Sequence, residues 1–238
     1  MIRPFICTCN KRIESLEVFI ASYLKNAKKH LLRPIIWYDD KHEGDLKKYH
    51  ALLDKLDPIE KIPQGSYRPD IATRSIDMRS ILEFPEIIYK SETYSKEFIL
   101  FLEDDIVFSS QFNKAVDHIE RYAIRYGVVD AVTLFAHKDK YWPEKHNPKN
   151  WFLYQIDPGW YHGNLAIMFR PELMKWWYEN REDFWGGVQN GWDWKLGAYF
   201  KKHNKRIYCT HWHYVQHQVG MSAIKGWHKY EVSNRFIY

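Results

Sequence analysis

The run Phe98-Ile99-Leu100-Phe101-Leu102, followed at once by Glu103-Asp104-Asp105, constrains this chain more than any other segment. Five consecutive apolar residues read as a strand buried on both faces. Three carboxylates directly after it repel one another and desolvate badly, so something must compensate their charge. In an open α/β sheet, ligands sit beyond the carboxyl ends of strands, which is where this triplet falls. Two readings stand side by side. The oxygens could suit a hard divalent cation, Mg²⁺ or Mn²⁺, that would in turn hold a diphosphate, or the triplet could be a solvated acidic turn capping the next helix.

The flanking pattern supplies the sheet for such a strand. Phe5 to Thr8 is a short β-type run, and Ile13, Leu16, Phe19, Ile20, Tyr23 and Leu24 then recur at helical spacing. Pro34 to Tyr38 reads as a second buried strand ending in Asp39-Asp40. Leu46, Tyr49, Leu52, Leu53 and Leu56 mark the next helix, and a further helix is expected between Pro69 and Leu82. Beyond the carboxylates, Phe112, Ala115, Val116, Ile119, Tyr122, Ala123 and Tyr126 form one stripe, with Ser110 as N-cap and Gly127 as its end. Val128 to Phe135 is again strand-like. This alternation predicts an α/β fold with a mostly parallel central sheet and helices on both faces.

The second half is less regular. Ala136 to Asn150 reads as a long surface loop, Leu165 to Phe169 as a strand, and Pro171 to Asn180 as a helix with proline in its first turn. Gly186-Gly187 break the chain before a helix from Trp192 to Lys202; Arg206 to Cys209 is a short strand and Val215 to Ser222 a glycine-containing turn. No repeat or linker interrupts the 238 residues, so residues 1–238 are taken as one domain.

Charge and composition exclude several classes. The 35 basic and 30 acidic residues leave a net charge of +5, and the basic ones are scattered, so no stripe for nucleic acid is visible. No apolar run approaches the roughly 20 residues of a membrane span. The chain enters strand-like sequence without an apolar signal region, and its three cysteines, Cys7, Cys9 and Cys209, cannot form a disulfide framework. The expectation is a reducing, cytoplasmic setting with the cysteines as small buried hydrophobes. Aromatic residues reach 17%, with 11 tryptophans. That suits flat amphipathic ligands such as sugar rings and bases, or a core that uses Trp.

Two further segments carry chemistry. Asp193, between Trp192 and Trp194, is an acid against aromatic walls that could act as general base, or a helix N-cap. His211, His213 and His217 invite a zinc reading, but no cysteine or carboxylate nearby completes a tetrahedral set. A single histidine, His217, adding a ligand to a carboxylate-bound metal is more economical, and the turn at Gly220 and Ser222 could bring backbone N–H groups to phosphate.

Together these residues resemble the GT-A nucleotide-sugar glycosyltransferases. The strand closing in Glu103-Asp104-Asp105 looks like their DxD-type motif, and Phe98 to Val107 is especially similar to the Glu-Asp-Asp strand of inverting N-acetylglucosaminyltransferases. Gly159-Trp160, the strand Leu165 to Arg170, Pro171-Glu172-Leu173, Trp192-Asp193-Trp194 and the stretch Gln216 to Ser222 follow in that family's order.

The resemblance implies a GT-A, Rossmann-like fold with a nucleotide-sugar-binding half over 1–135 and a smaller, irregular acceptor half over 136–238. It implies Mn²⁺ (or Mg²⁺) at Asp105 and His217, and a nucleoside-diphosphate sugar, first of all a UDP-sugar, as donor. That donor would be held by Thr8, Arg12, Asp39, Arg74, Asp104, Asp105 and His217. It further implies a glycan or glycoprotein acceptor stacked on Trp160, Trp192 and Trp194, with Asp193 deprotonating its hydroxyl in an inverting displacement. A retaining GT-A transferase and a non-catalytic carbohydrate- or nucleotide-binding module are the rivals.

Overall fold

β1 (Ile2–Cys9), β2 (Ile35–Asp39) and β3 (Glu60–Pro63) are parallel neighbours, joined through α1 (Ile13–Asn26) and α2 (Leu46–Lys55). α3 (Ile76–Lys90) then carries the chain to β4 (Phe98–Glu103), which pairs in parallel with β1 on the side away from β2. The chain therefore reverses its direction of winding between β1 and β4. Such a switch point leaves a crevice beyond the carboxyl ends of the two strands.

The computed structural model describes residues 1–72, 76–127, 129–135, 153–158, 166–183, 192–218, 220–222, 226–228 and 236. After β4 come β5 (Ile106–Phe108), α4 (Phe112–Tyr126), β6 (Ala131–Thr133), β7 (Leu153–Ile156), β8 (Ala166–Phe169) and α5 (Pro171–Asn180). α6 (Trp192–Lys202), β9 (Ile207–Thr210), β10 (Val215–His217), β11 (Gly220–Ser222) and β12 (Gly226–His228) complete the order. The main sheet has eight strands in the order β3-β2-β1-β4-β8-β6-β9-β7. β8 is antiparallel to β4 and β6, and β7 to β9, so the sheet is mixed around a parallel half.

Side chains alternate across this sheet, as the period of two demands. Ile2, Ile6, Ile36, Leu100 and Leu102 pack with Leu16, Phe19 and Tyr23 of α1, Leu52 and Leu53 of α2, and Phe112, Val116 and Ile119 of α4. Phe5, Ile35, Trp37, Ile99 and Phe101 pack on the other face with Phe84 and Ile88 of α3, Trp177 of α5, and Trp192 and Leu196 of α6. Helices thus cover both faces, the α/β arrangement that the alternation predicts. α4 ends at Gly127, whose φ of 61° is the left-handed conformation that glycine adopts without cost.

The structure also departs from the expectations. Val215 to Ser222 is not a plain turn: β10 pairs antiparallel with β5, and β11 with β12. Cys209 is buried, but Cys7 and Cys9 are only half-buried, because the carboxyl end of β1 emerges into the crevice. The expected loop over Ala136 to Asn150 lies outside the described residues. Among the described residues, no helix is long and apolar enough to cross a membrane.

Candidate active site

The carboxyl ends of β1 and β4 are in register, Cys7 opposite Glu103, so the next residues, Thr8 and Asp104, face each other. Asp104 is fully buried; its Oδ2 accepts from Thr8 Oγ1 at 2.6 Å and from the Cys9 backbone N–H at 3.3 Å. Its Oδ1 is ion-paired with Arg12 Nη2. Arg12 Nη1 donates to Asp105 Oδ2 at 2.6 Å, so one guanidinium spans both acids. This is the compensating charge that the carboxylate triplet calls for. Burial pushes the Asp104 carboxyl above its ordinary range, against the opposing pull of Arg12. Burial and the Asp104 charge push the Cys9 thiol up to about 11, which makes it a poor nucleophile.

Arg12 is delivered by a short 3-10 turn, Asn10–Arg12, between β1 and α1. Asn10 locks that turn to the loop after β2: its Nδ2 donates to His42 O at 2.5 Å, and His42 N donates to its Oδ1 at 3.2 Å. Asp39, at the end of β2 and opposite Cys9, is also buried. Its Oδ2 accepts from Arg79 Nη2 of α3 at 3.1 Å, and its Oδ1 from Lys41 N at 3.2 Å.

His217 closes the cluster from the far end of the chain. β10 lies on β5 with His217 opposite Ile106, which brings His217 Nδ1 to 3.7 Å from Asp105 Oδ1. Gln218 secures that approach. Its N–H donates to Asp105 O at 2.8 Å, and its Nε2 donates to Ser15 O at 3.0 Å and Ile106 O at 3.1 Å. Burial lowers the pKa of His217, so the imidazole is held neutral, the form in which it can ligate a metal.

The donors present fit a divalent cation in one specific way. Asp105 Oδ1 is buried and makes no hydrogen bond among the described residues, and the neutral imidazole nitrogen stands beside it. Carboxylate oxygen and imidazole nitrogen suit Mn²⁺. Among the described residues no group of three or more His, Cys, Asp and Glu could hold a metal ion. The fit is therefore to a cation that takes its remaining ligands from phosphate oxygens and water. Of the three histidines that invite the zinc reading, only His217 lies on β10, which begins at Val215, so the three do not share one strand. His213 and His217 instead flank Phe135, with ring centroids at 5.2 and 6.0 Å.

Of the residues singled out from the sequence, Thr8, Arg12, Asp104, Asp105 and His217 come together in one cluster, with Asp39 one strand away. Arg74 and Trp160 lie outside the described residues. Asp193 is the second residue of α6, not its N-cap; its side chain lies outside the described part. Trp192 is corrected to a core residue. It is 6% exposed and packs at 5.0 Å on Phe101 and 6.4 Å on Trp177, leaving no open face for a sugar ring. Trp194 is half-buried. Asn10, Arg79 and Gln218 carry structural weight that the sequence pattern does not announce. Each is a polar residue whose partner is remote, and no local spacing marks it. Searches against protein families and against curated proteins return no match for this chain.

Proposed function

We propose that this protein is a metal-dependent glycosyltransferase of the GT-A type, moving a sugar from a nucleoside-diphosphate sugar to a hydroxyl of a glycan or glycoprotein, with inversion. The observation that carries this reading is the buried pair Asp104 and Asp105 at the switch point between β1 and β4, with His217 against it. Thr8 near the end of β1, Arg12 in the turn after it and Asp39 at the end of β2 would line the nucleotide, and Arg74 would meet its diphosphate. Asp105 and His217 would hold Mn²⁺, which when bound offsets charge on the leaving diphosphate. α6 leads into the amino end of β9, so its first turn, with Asp193, is directed to the sheet edge where the carboxylates stand. Trp192, at the start of α6, packs on Phe101 of β4, which lies three residues before Asp104. Asp193 would then take the proton of the acceptor hydroxyl.

One observation favours a second reading, a nucleotide-binding module without turnover: Arg12 ion-pairs with both carboxylates and offsets part of their charge without a cation. A thermal-shift panel of nucleoside diphosphates, with and without Mn²⁺, separates the two. A ligand at about 100 times its dissociation constant adds about 2.7 kcal/mol, a readable shift in a domain of this size. The transferase reading expects a shift with one nucleotide that requires Mn²⁺. A shift indifferent to Mn²⁺ favours the module, and no shift with any nucleotide refutes both.

A further inference from the structure

The position of Arg12 bears on how a cation enters this site. Its guanidinium touches the two carboxylates at once, and its side chain is only 15% exposed. It stands at the junction of the 3-10 turn and α1, where no side chain caps the helix. One guanidinium therefore holds a pair of acids that, like a diphosphate, present anionic oxygens to both of its prongs.

The charges then decide what can bind. Counted by formal charge, two carboxylates and one guanidinium sum to −1. A divalent cation alone would turn that into a buried +1 beside an arginine, with nothing to offset it. A nucleoside diphosphate arriving with the cation restores the balance, and its phosphate oxygens accept the same two-pronged donation that the carboxylates now take.

The acids can also release the arginine. Asp104 Oδ2 keeps the Thr8 hydroxyl and the Cys9 N–H when Arg12 leaves, and the oxygens it vacates are Asp104 Oδ1 and Asp105 Oδ2. The turn that carries Arg12 is held by Asn10 and His42, not by the guanidinium, so the side chain can move while the backbone stays.

We propose that Arg12 stands in for the divalent cation until a nucleoside diphosphate arrives: it opposes metal binding to the free protein, and by transferring to phosphate it opens Asp105 to the metal. This rests on the metal-dependent reading above. It adds that metal and nucleotide bind as a coupled pair, with Arg12 as the residue that couples them.

The test is a direct titration of Mn²⁺, with free ion read by electron paramagnetic resonance, on the full chain and on Arg12→Gln, each with and without UDP. Arg12→Gln is expected to bind Mn²⁺ alone at least tenfold more tightly than the unaltered protein. UDP should strengthen Mn²⁺ binding by a smaller factor in the variant. Should Arg12→Gln fail to fold by circular dichroism, Arg12→Lys keeps the charge but cannot span both acids, and is expected to bind Mn²⁺ alone several-fold more tightly. Variants that bind Mn²⁺ no more tightly than the unaltered protein, while that protein takes up Mn²⁺ with UDP, overturn the role of Arg12 alone. No Mn²⁺ uptake by any form, even with UDP, overturns this inference and the metal-dependent reading together.

Discussion

Thr8 and Asp104 meet at the ends of adjacent parallel strands, the threonine hydroxyl donating to Asp104 Oδ2 at 2.6 Å with both side chains sealed from solvent. Removing one donor from a buried carboxylate costs about 1–3 kcal/mol. Thr8→Val, which keeps the shape and loses the hydroxyl, should lower the urea-unfolding free energy by that amount, whereas Thr8→Ser should stay close to the unaltered protein. Equal stability of the valine and serine variants would show that Arg12 and the Cys9 N–H satisfy Asp104 without the hydroxyl.

The buried pair of Asp39 and Arg79 makes a different forecast. Arg79→Met leaves the carboxylate with the Lys41 N–H as its remaining close donor, and an uncompensated buried charge costs about 3–5 kcal/mol. Asp39→Asn combined with Arg79→Met should lose less stability than the two single changes summed, since the pair is one interaction. Calorimetric unfolding of the three variants measures that difference; strict additivity would mean that the pair is not coupled.

Glu83 sets a pH dependence. Wholly buried in α3, it accepts from Gly65 N at 2.7 Å and Tyr67 N at 2.9 Å, yet burial raises its pKa above the ordinary glutamate value. The folded chain therefore binds this proton more tightly than the unfolded chain, whose glutamate titrates near 4.3. Its contribution is most favourable at low pH and diminishes as pH rises from about 4.3 to the raised folded value, then levels. The stability of the unaltered protein minus that of Glu83→Gln, followed by urea melts across acidic pH, should fall with rising pH. A difference that grows instead would mean that the backbone N–H groups, not burial, dominate.

Trp192 as a core residue predicts a stability phenotype. Trp192→Ala should cost about 3–5 kcal/mol and Trp192→Phe less, both read by denaturant unfolding. A folded, equally stable alanine variant with weakened sugar binding would restore the platform reading.

Asp193 predicts the reverse pattern. Loss of a general base costs about 10²- to 10⁴-fold in rate. On the proposed transferase reading, Asp193→Asn should lose sugar transfer by that factor while UDP still raises the melting temperature with Mn²⁺. Undiminished transfer would remove Asp193 from the chemistry and favour a retaining course.

Much of the scaffold is legible because its signals are local. The stripes of α1, α2 and α4, and the apolar run of β4, each lie within one stretch of chain and need no partner to be recognised. The strands β5, β8, β10 and β11 are three or four residues long, and only their remote partners fix their direction. The site divides the same way. Asp104 and Asp105 announce a charge problem beside an apolar strand, but its solution, Arg12, lies 93 positions from Asp105. Asn10, Arg79 and Gln218 are ordinary polar residues until the fold supplies their partners. Trp192 misleads because an indole beside an acid looks the same in sequence on a surface or against Phe101.

Gln218 donates to Ser15 across 203 positions of chain, and Thr8 to Asp104 across 96. Contacts of such sequence separation slow folding, because long loops must close before any of them is rewarded. On a ribosome that adds about 5–20 residues per second, roughly 10–40 seconds pass between the synthesis of Arg12 and that of Gln218. β1 can pair with β2 early in that interval, but the crevice has no carboxylate wall until β4 emerges and no histidine until the last strands follow. Nascent chains thus carry their scaffold long before this cluster, and any stalled or shortened product that stops before His217 lacks the imidazole that stands beside Asp105.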